Sequence, residues 1–343
     1  MRIAVLGGTG FIGPFVVRRL AEAGHRVTVV HRGVTERDDL GAARHVHAER
    51  ADFAAAMDAV GDVDVALDMA PFTEAAARTA LAAVRGHCPR LVAVSSVDVY
   101  RAFGALNRLE DSPLPEPPVD EDAPLRTVLH PYRNSVPAGG PEWLRDYDKI
   151  PVERLVMSDA EIAGTVLRLG AVYGPGDQQH RLLPLVARVD ARRPALLLEP
   201  TQAACRWPYV YVENAAAAIA AAVVDPRAAG RIYNVGPPLT PTNEEWTRRV
   251  AEALGWNGRI VMVPDGTLDP ALGGMPDADL RHHVDVVSTR IREELDLEDP
   301  VDFATGVRRT AEYERAFLGG GGSGPSLADY AREDAILAAK PGP

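Results

Sequence analysis

Apolar residues recur through the first hundred positions in two alternating patterns. Short, continuous apolar runs predict buried strands at residues 3–6, 27–30, 63–69 and 91–95. Segments with helical spacing separate them, at residues 14–23, 53–60 and 74–84. Apolar strands that alternate with helices predict a parallel sheet covered on both faces. The sequence therefore indicates a doubly wound α/β fold of the Rossmann type, whose ligands bind beyond the carboxyl ends of the strands.

The pattern after residue 150 becomes more mixed. Helices are predicted at 152–159, 214–224 and 243–254, and strands at 165–169, 209–212 and 231–235. We expect a dinucleotide-binding part over residues 1–175 and a smaller, mixed α/β C-terminal part over 176–318 that binds substrate and is interleaved with the last Rossmann elements. Residues 319–343 form a Gly-rich hinge and an amphipathic tail. The tail docks either on the body or on a partner subunit, and the sequence leaves both open.

A proline-rich segment interrupts the α/β pattern at residues 111–126. Regular structure is excluded there because each proline fixes φ and removes an amide donor. Long loops in compact domains are often functional. We therefore expect part of a wall or lid over the site, with a solvated excursion as the alternative.

Composition narrows the class of partner. The formal net charge of −11 and the absence of a Lys/Arg run argue against nucleic acid. Cys88 and Cys205 have no second Cys or His at metal-ligand spacing, so we predict no metal site and a reducing environment. No apolar run is long enough to span a bilayer, and a strand begins directly after Met1-Arg2. We expect a cytoplasmic protein that binds a small molecule and not a membrane.

The first predicted strand runs directly into a Gly-x-x-Gly-x-x-Gly loop at residues 7–13, followed by a helix. Gly7 permits the tight turn, Gly10 admits a pyrophosphate close to the backbone, and Gly13 lets the helix pack closely on the sheet. The helix N-terminus offers amide donors and a positive dipole to the phosphates. The residues expected to bind the dinucleotide here are Gly7, Thr9, Gly10, Phe11, Ile12 and Gly13.

The end of the second strand bears on the choice of coenzyme. An acidic residue there would hold the ribose hydroxyls of NAD, but the chain has His31-Arg32-Gly33. A guanidinium matches a 2′-phosphate, so Arg32 favours NADP, with NAD as the alternative if Arg32 is merely solvated.

With these residues the chain resembles the extended short-chain dehydrogenase/reductase superfamily, in the NAD-dependent epimerase/dehydratase family. The motifs that carry the resemblance are GGTGFIG at 7–13, VSSVDVY at 94–100, LRLGAVYGPGD at 167–177, RWPYVYVEN at 206–214 and YNVG at 233–236. The resemblance implies a nicotinamide-dependent enzyme and a catalytic role for Ser96. It also implies cofactor contacts by Ala70, Ser95 and Val172.

The chain departs from the Tyr-x-x-x-Lys motif of that family. Lys149 matches the lysine, which binds the nicotinamide ribose and lowers the pKa of the tyrosine, but Arg145 occupies the tyrosine position. Tyr147 lies two residues before Lys149, and within a helix the two would point about 200° apart. If the helix begins only near Pro151, both lie in an extended stretch and share a face. We predict that Tyr147 replaces the usual tyrosine; the alternative is a packing residue.

Three further residues are candidates for substrate contacts. Asp98 occupies a position where some relatives carry an acidic base, although it could be a turn residue. Arg206 resembles the arginine that grips the phosphates of sugar nucleotides, with a structural salt bridge as the alternative. His180 could point into the substrate cleft.

The leading interpretation is an NAD(P)-dependent reductase or an epimerase/dehydratase that exchanges hydride with a carbonyl or hydroxyl carbon. The substrate is small and polar, and the resemblance and Arg206 make a sugar nucleotide one option. The alternatives are a non-redox enzyme, such as a lyase or cyclase, and a dinucleotide-sensing module that binds a partner. A homodimer is common among such relatives.

Overall fold

The computed structural model describes residues 1–35, 39–114, 117–136 and 139–339. Its centre is a seven-stranded sheet in which every neighbouring pair is parallel. The strands are β1 Arg2–Leu6, β2 Arg26–His31, β3 Arg44–His47, β4 Val65–Asp68, β5 Arg90–Ser96, β6 Ala163–Leu169 and β10 Ile232–Val235. Their spatial order is β10-β6-β5-β4-β1-β2-β3. The predicted doubly wound Rossmann sheet is confirmed.

Helices cover both faces of this sheet. They are α1 Gly13–Glu22, α2 Phe53–Val60, α3 Glu74–Val84, α5 Lys149–Ser158 and α8 Val212–Val224. The short helix α4 Arg101–Leu106 packs in a separate cluster with Tyr100 and Ile150. One core cluster packs α1 and α8 on one face, and a second packs α2, α3 and α5 on the other. Continuous apolar strands are required because both of their faces are buried.

The remaining elements lie mostly in the C-terminal half. They are strands β7 Ala171–Tyr173, β8 Ala195–Leu198, β9 Tyr209–Tyr211 and β11 Arg259–Met262, with helices α6 Leu183–Asp190, α7 Pro200–Ala204, α9 Asn243–Ala253, α10 Thr289–Glu294, α11 Phe303–Gly319 and α12 Leu327–Ala339. Two small parallel ribbons form, β7 with β9 and β8 with β11. The chain returns to the main sheet through β10, so these elements are interleaved with it.

The C-terminal tail docks on the body of the same chain. Glu333 in α12 is buried, and its carboxylate accepts hydrogen bonds from Arg188 at 2.7 Å and Arg193 at 3.2 Å. The predicted hinge begins at the last residue of α11, Gly319, and continues as a turn through Gly321. Residues 340–343 of the predicted tail lie outside the described residues. Among the described residues, no helix is long and apolar enough to cross a membrane.

The proline-rich segment packs into the body. Val119 forms a bridge with Val286, and Leu125 forms one with Tyr100. Glu121 is buried, and its carboxylate accepts a bond from the Asn234 amide at 2.8 Å. Residues 115–116 of this segment lie outside the described residues. Val119, Glu121 and Arg126 therefore anchor the segment on the body, whereas most of its other described residues are exposed to solvent. A role as a wall over the site stays a prediction.

Candidate active site

The glycine-rich loop leaves room for a ligand at one position and none at another. Gly7 and Gly8 have φ of +89° and +98°, which L side chains rarely adopt. A Cβ atom on Gly13 would lie 2.3 Å from the Gly8 carbonyl oxygen, whereas one on Gly10 would meet nothing within 4 Å. No side chain caps α1 at its N-cap residue Ile12. Phe15 and Val16 already donate their amides to the Ile12 carbonyl, so the room for a diphosphate lies at the loop itself, beside Gly10 and ahead of the start of α1.

The end of β2 presents one arginine to solvent. Arg32 is exposed, and no hydrogen bond or ion pair joins its side chain to the described residues. His31 is buried beside it, and its Nε2 lies 2.8 Å from Nδ1 of His45. The histidine therefore packs against β3, and the arginine beside it is the group that could reach a ligand at the carboxyl edge of the sheet.

Tyr147 lies immediately before α5, in extended chain, because Asp148 caps that helix. The Asp148 carboxylate accepts a hydrogen bond from the Ile150 amide at 2.9 Å, and Asp148 has φ −164° and ψ 126°. The helix therefore begins at Lys149. Tyr147 forms an antiparallel bridge with Thr73, and its hydroxyl reaches Asp98, two residues beyond the end of β5. This is the arrangement in which Tyr147 and Lys149 can serve the same site.

The Tyr147 hydroxyl donates a hydrogen bond to Oδ2 of Asp98 at 2.7 Å. Burial, and then the charge of Asp98, raise the pKa of Tyr147 well above its ordinary value. Ser96 ends β5, and its hydroxyl accepts a bond from the Asp98 amide at 3.2 Å. These three residues therefore meet at one point.

Asp98 is a buried carboxylate with one unused oxygen. Burial raises its pKa, although Tyr147, Arg126 and Lys149 each act to lower it. Its Oδ2 lies 3.5 Å from the hydroxyl of Tyr132 in addition to that of Tyr147, whereas its Oδ1 has no hydrogen-bond partner among the described residues. A buried, unpaired carboxylate oxygen is costly, and it marks a position where a ligand or a proton would be favoured.

Lys149 is held by two backbone carbonyls. Its Nζ donates to the oxygen of Val94 at 2.9 Å and to that of Pro71 at 3.1 Å, and it lies 4.9 Å from the centre of the Phe72 ring. Burial lowers the pKa of Lys149 to about 8, despite the nearby charges of Asp98 and Asp68. The ammonium group therefore sits at the carboxyl ends of β4 and β5, where a ribose of the cofactor is expected.

The lowered pKa of Lys149 gives a testable pH dependence of stability. Between about pH 8 and the ordinary lysine pKa near 10.4, the unfolded chain binds more protons than the folded one, so this residue's contribution to stability rises with pH. We expect the free energy of unfolding of the native protein, relative to Lys149→Met, to increase by about 2 kcal/mol from about pH 8 to about pH 9.5. Urea denaturation of both proteins at each pH measures this, and a constant difference would contradict it.

Arg126 connects several parts of the site, although no motif in the sequence indicated this residue. It is buried, and its guanidinium donates to the carbonyl oxygens of Asp98 and Val128 and, at 3.1 Å, to the carboxylate of Asp148. It therefore ties the segment that follows β5 to the cap of α5. A lone arginine at the end of a proline-rich segment gave no local signal, because Asp98 and Asp148 lie 28 and 22 residues away in sequence.

Three residues predicted to contact the cofactor have other contacts in the structure. Ser95 is buried, and its hydroxyl donates to the carboxylate of Glu153 at 2.5 Å, so its side chain is directed into the interior. Ala70 is held at the end of β4 by Arg50, which donates to its carbonyl at 3.1 Å and also pairs with Asp68. Val172 is buried in β7. The Ser95 side chain is therefore occupied, whereas Ala70 is half-buried and its contact with a cofactor stays a prediction.

A cavity of about 260 Å³ opens beside the β7–β9 ribbon. Its lining residues come from several elements of the smaller part and from α4. They are Leu106, Ala171, Gln179, Arg181, Cys205, Trp207, Tyr209, Asn243, Met275 and Leu280.

Two of the predicted substrate contacts face away from this cavity. The Nδ1 of His180 lies 2.6 Å from the Glu314 carboxylate, and the imidazole stacks on Phe317, so the side chain packs on α11. Arg206 donates to the Thr240 carbonyl and lies 3.8 Å from the carboxylate of Asp285. The prediction that His180 points into the cleft is therefore wrong, because a buried acid holds it elsewhere. Arg206 forms an ion pair with Asp285, which is the alternative that the sequence left open. Its neighbour Trp207 lines the cavity.

A parallel Rossmann sheet, a glycine-rich loop at its first helix, and a lysine beside a serine and a tyrosine define a dinucleotide-binding enzyme. More specifically, the chain belongs to the NAD dependent epimerase/dehydratase family, which matches residues 3–124 and 137–236. It is an oxidoreductase or epimerase type of enzyme.

Relatives of known activity are reductases. The chain is 30% identical over 272 residues to a 3-diazoavenalumate denitrifying reductase from Streptomyces sp., which covers 74% of this chain and 82% of the relative. It is also 30% identical over 273 residues to a 2′-dehydrokanamycin reductase from Streptomyces kanamyceticus, covering 77% of this chain and 70% of the relative.

Solved structures agree on the fold. A UDP-N-acetylglucosamine 4-epimerase from Bacillus cereus matches with a TM-score of 0.67 at 18% identity, over 92% of this chain and 99% of that one. A UDP-glucose 4-epimerase of Thermus thermophilus, in complex with NAD, has a TM-score of 0.63 at 22% identity, over 92% and 99%.

Proposed function

We propose that this enzyme is a nicotinamide-dependent carbonyl reductase in which Tyr147 is the proton donor. The observation that carries the proposal is the position of Tyr147, whose hydroxyl lies 2.7 Å from Oδ2 of Asp98 and whose ring centre lies 5.9 Å from Nζ of Lys149. Both relatives of known activity are reductases by name, which supports the same direction of reaction.

The direction of reaction is proposed from the two relatives, both of which are reductases by name. In that direction Tyr147 acts as an acid, and a protonated tyrosine can give a proton to a carbonyl oxygen. Burial raises the pKa of Tyr147, which keeps this hydroxyl protonated.

The bound, reduced nicotinamide would supply a hydride to the carbonyl carbon, so that the dinucleotide is oxidised and the carbonyl becomes an alcohol. Tyr147 gives its hydroxyl proton to the substrate oxygen as the carbon–oxygen π bond breaks. Asp98 holds the Tyr147 hydroxyl in place through its 2.7 Å hydrogen bond, and the tyrosinate takes up a proton from water to complete the turnover. Ser96 orients the substrate oxygen, and Lys149 holds the nicotinamide ribose.

We place the dinucleotide on residues 1–175, with its diphosphate at Gly7–Gly13 and the substrate between this part and residues 176–318. The open space at Gly10 and the uncapped start of α1 support this. A sugar nucleotide remains the family alternative as substrate, but its phosphates would need Arg206, whose guanidinium already contacts Thr240 and Asp285.

We further propose that the coenzyme is NADP. Arg32 is exposed at the carboxyl end of β2 and is available to a 2′-phosphate. We expect Arg32→Ala to raise the Kd for NADPH by about 10- to 100-fold, because charge-assisted hydrogen bonds contribute about 1.5–3 kcal/mol, and to leave the Kd for NADH unchanged.

Calorimetric titration of both coenzymes measures this selectivity. Arg2→Ala is the matched control, because Arg2 is also exposed but lies at the amino end of β1, the opposite edge of the sheet. Equal loss of NADPH and NADH affinity in Arg32→Ala would refute the NADP assignment. Binding of neither coenzyme to the folded native protein would refute the proposed function.

A further inference from the structure

The loop that follows β4 is bound to the start of α5. The Phe72 carbonyl oxygen accepts a hydrogen bond from the Asp148 amide at 3.1 Å. The preceding carbonyl oxygen, of Pro71, accepts one from Nζ of Lys149 at 3.1 Å. Two successive residues of the loop therefore hold the cap of α5 and its lysine, and a displacement of the loop would displace both.

Two aromatic rings lie over the Lys149 ammonium group. Its Nζ is 4.9 Å from the centre of the Phe72 ring and 5.9 Å from that of the Tyr147 ring. Trp143 stacks on Phe72, with 4.7 Å between ring centres and 18° between ring planes. Lys149 is only 3% exposed, whereas Phe72 and Trp143 are 37% and 44% exposed. Phe72 therefore contacts the buried ammonium group with one part of its surface and solvent with another, and Trp143 covers a third part.

The hydrogen bonds of Lys149 to protein oxygens use two of its three N–H donors. They go to the carbonyl oxygen of Val94 at 2.9 Å and to that of Pro71 at 3.1 Å. Water at the third donor would compete with a ligand hydroxyl. An aromatic ring attracts a nearby cation through its π electrons, and this attraction is stronger where water is excluded. The Phe72 ring can therefore stabilise the charge of Lys149 and still leave that donor to a ligand.

We infer that Phe72 is a positioning residue, whose ring keeps water from the Lys149 ammonium group and attracts its charge, so that the third N–H can bind the nicotinamide ribose. Trp143 supports this role because it covers part of the Phe72 ring. The inference rests on the proposed function, since that function assigns Lys149 to the ribose of the bound coenzyme.

The pH dependence of coenzyme binding gives access to Lys149. Burial lowers its pKa to about 8. The titratable groups that face it are Asp98, Asp68, Arg50, Glu153 and Tyr147. The three acids oppose the effect of burial, and the arginine adds to it. We expect the Kd of the native protein for NADPH to rise about 10- to 30-fold from about pH 7.5 to about pH 9.5, as Lys149 loses its charge, and we expect no such rise in Lys149→Met.

Three substitutions of Phe72 separate the exclusion of water from the attraction of the ring. In Phe72→Ser water reaches Nζ, the pKa of Lys149 returns toward its ordinary value of about 10.4, and the Kd should rise less than about threefold over the same pH range. In Phe72→Leu the surroundings stay apolar but the ring is lost, so the Kd should begin to rise at a lower pH than in the native protein. Phe72→Tyr retains a ring and should behave as the native protein does. Calorimetric titration of the full chain with NADPH measures each Kd.

Phe303→Ser is the matched control. The Arg249 guanidinium lies 4.2 Å from the centre of the Phe303 ring, so this pair makes the same kind of contact, at the start of α11 in the smaller part. We expect the native pH dependence in this variant. Trp143→Ser, which uncovers part of the Phe72 ring, should change the pH dependence in the same direction as Phe72→Ser, and it keeps the test informative if Phe72→Ser does not fold.

The inference would be overturned if Phe72→Ser and Phe72→Leu both kept the native pH dependence. It would also be overturned if Phe72→Ser weakened NADPH binding by the same factor at every pH, which is the effect of a merely loosened loop.

Failure of the proposed function gives a different result, because urea denaturation detects the titration of Lys149 without coenzyme. The rise in stability with pH that Lys149 gives the native protein should be lost in Phe72→Ser, when this variant is compared with Phe72→Ser/Lys149→Met. Loss of that rise in a protein that binds neither coenzyme would retain Phe72 as the cover of Lys149 and exclude the reductase.

Discussion

Replacing Tyr147 by phenylalanine is expected to lower kcat/KM for carbonyl reduction by about 10²- to 10⁴-fold, with an unchanged Kd for NADPH. The hydroxyl that donates to Asp98 at 2.7 Å is the proposed source of the proton, and phenylalanine removes it while it keeps the ring. The ring packs against Tyr132 and Trp143, so the variant should fold. NADPH oxidation at saturating coenzyme measures the rate, and calorimetry measures the Kd.

Tyr132→Phe is the matched control. Its hydroxyl also faces Asp98, but at 3.5 Å, and we expect it to cost less than about tenfold. Equal losses in the two variants would mean that Asp98, and not Tyr147, carries the proton. Full activity of Tyr147→Phe would leave Tyr147 as a packing residue.

The position of Tyr147 could be predicted because it depends on local rules. Pro151 favours the first turn of a helix, which put Tyr147 before the helix, and the structure begins α5 at Lys149. Asp148 supplied the cap that fixes this boundary. The same locality explains why α2 and α3 begin and end where the apolar spacing predicted.

Other features depend on contacts between distant parts of the chain, and the sequence could not show them. The edge strand β3 Arg44–His47 has no fully buried residue and forms because it pairs with β2, where His45 contacts His31. The paired state of Arg206 arises from Thr240 and Asp285, far away in sequence. Apolar periodicity carries no information about such pairs.

The contacts of Asp98, Arg126 and Asp148 explain how Tyr147 can reach the site although it precedes the helix. A tyrosine on the helix would be positioned by the helix itself, whereas Tyr147 precedes it and needs other supports. The Thr73 bridge fixes its backbone, and Asp98 fixes its hydroxyl. Arg126 then holds both Asp98 and Asp148, the residues that flank Tyr147 in space and in sequence.

Arg126→Met is accordingly expected to lower the free energy of unfolding by about 3–5 kcal/mol, because it leaves the Asp148 carboxylate buried without its cation. The side chains of Arg126 and Asp148 are 0% and 1% exposed. The double variant Arg126→Met/Asp148→Asn should recover part of this loss, since asparagine carries no charge and can still cap α5. Arg248→Met is the control, because its pair with Glu244 is exposed and should contribute less than about 1 kcal/mol. Urea denaturation measures all three, and equal losses in Arg126→Met and Arg248→Met would show that Arg126 does not hold the site together.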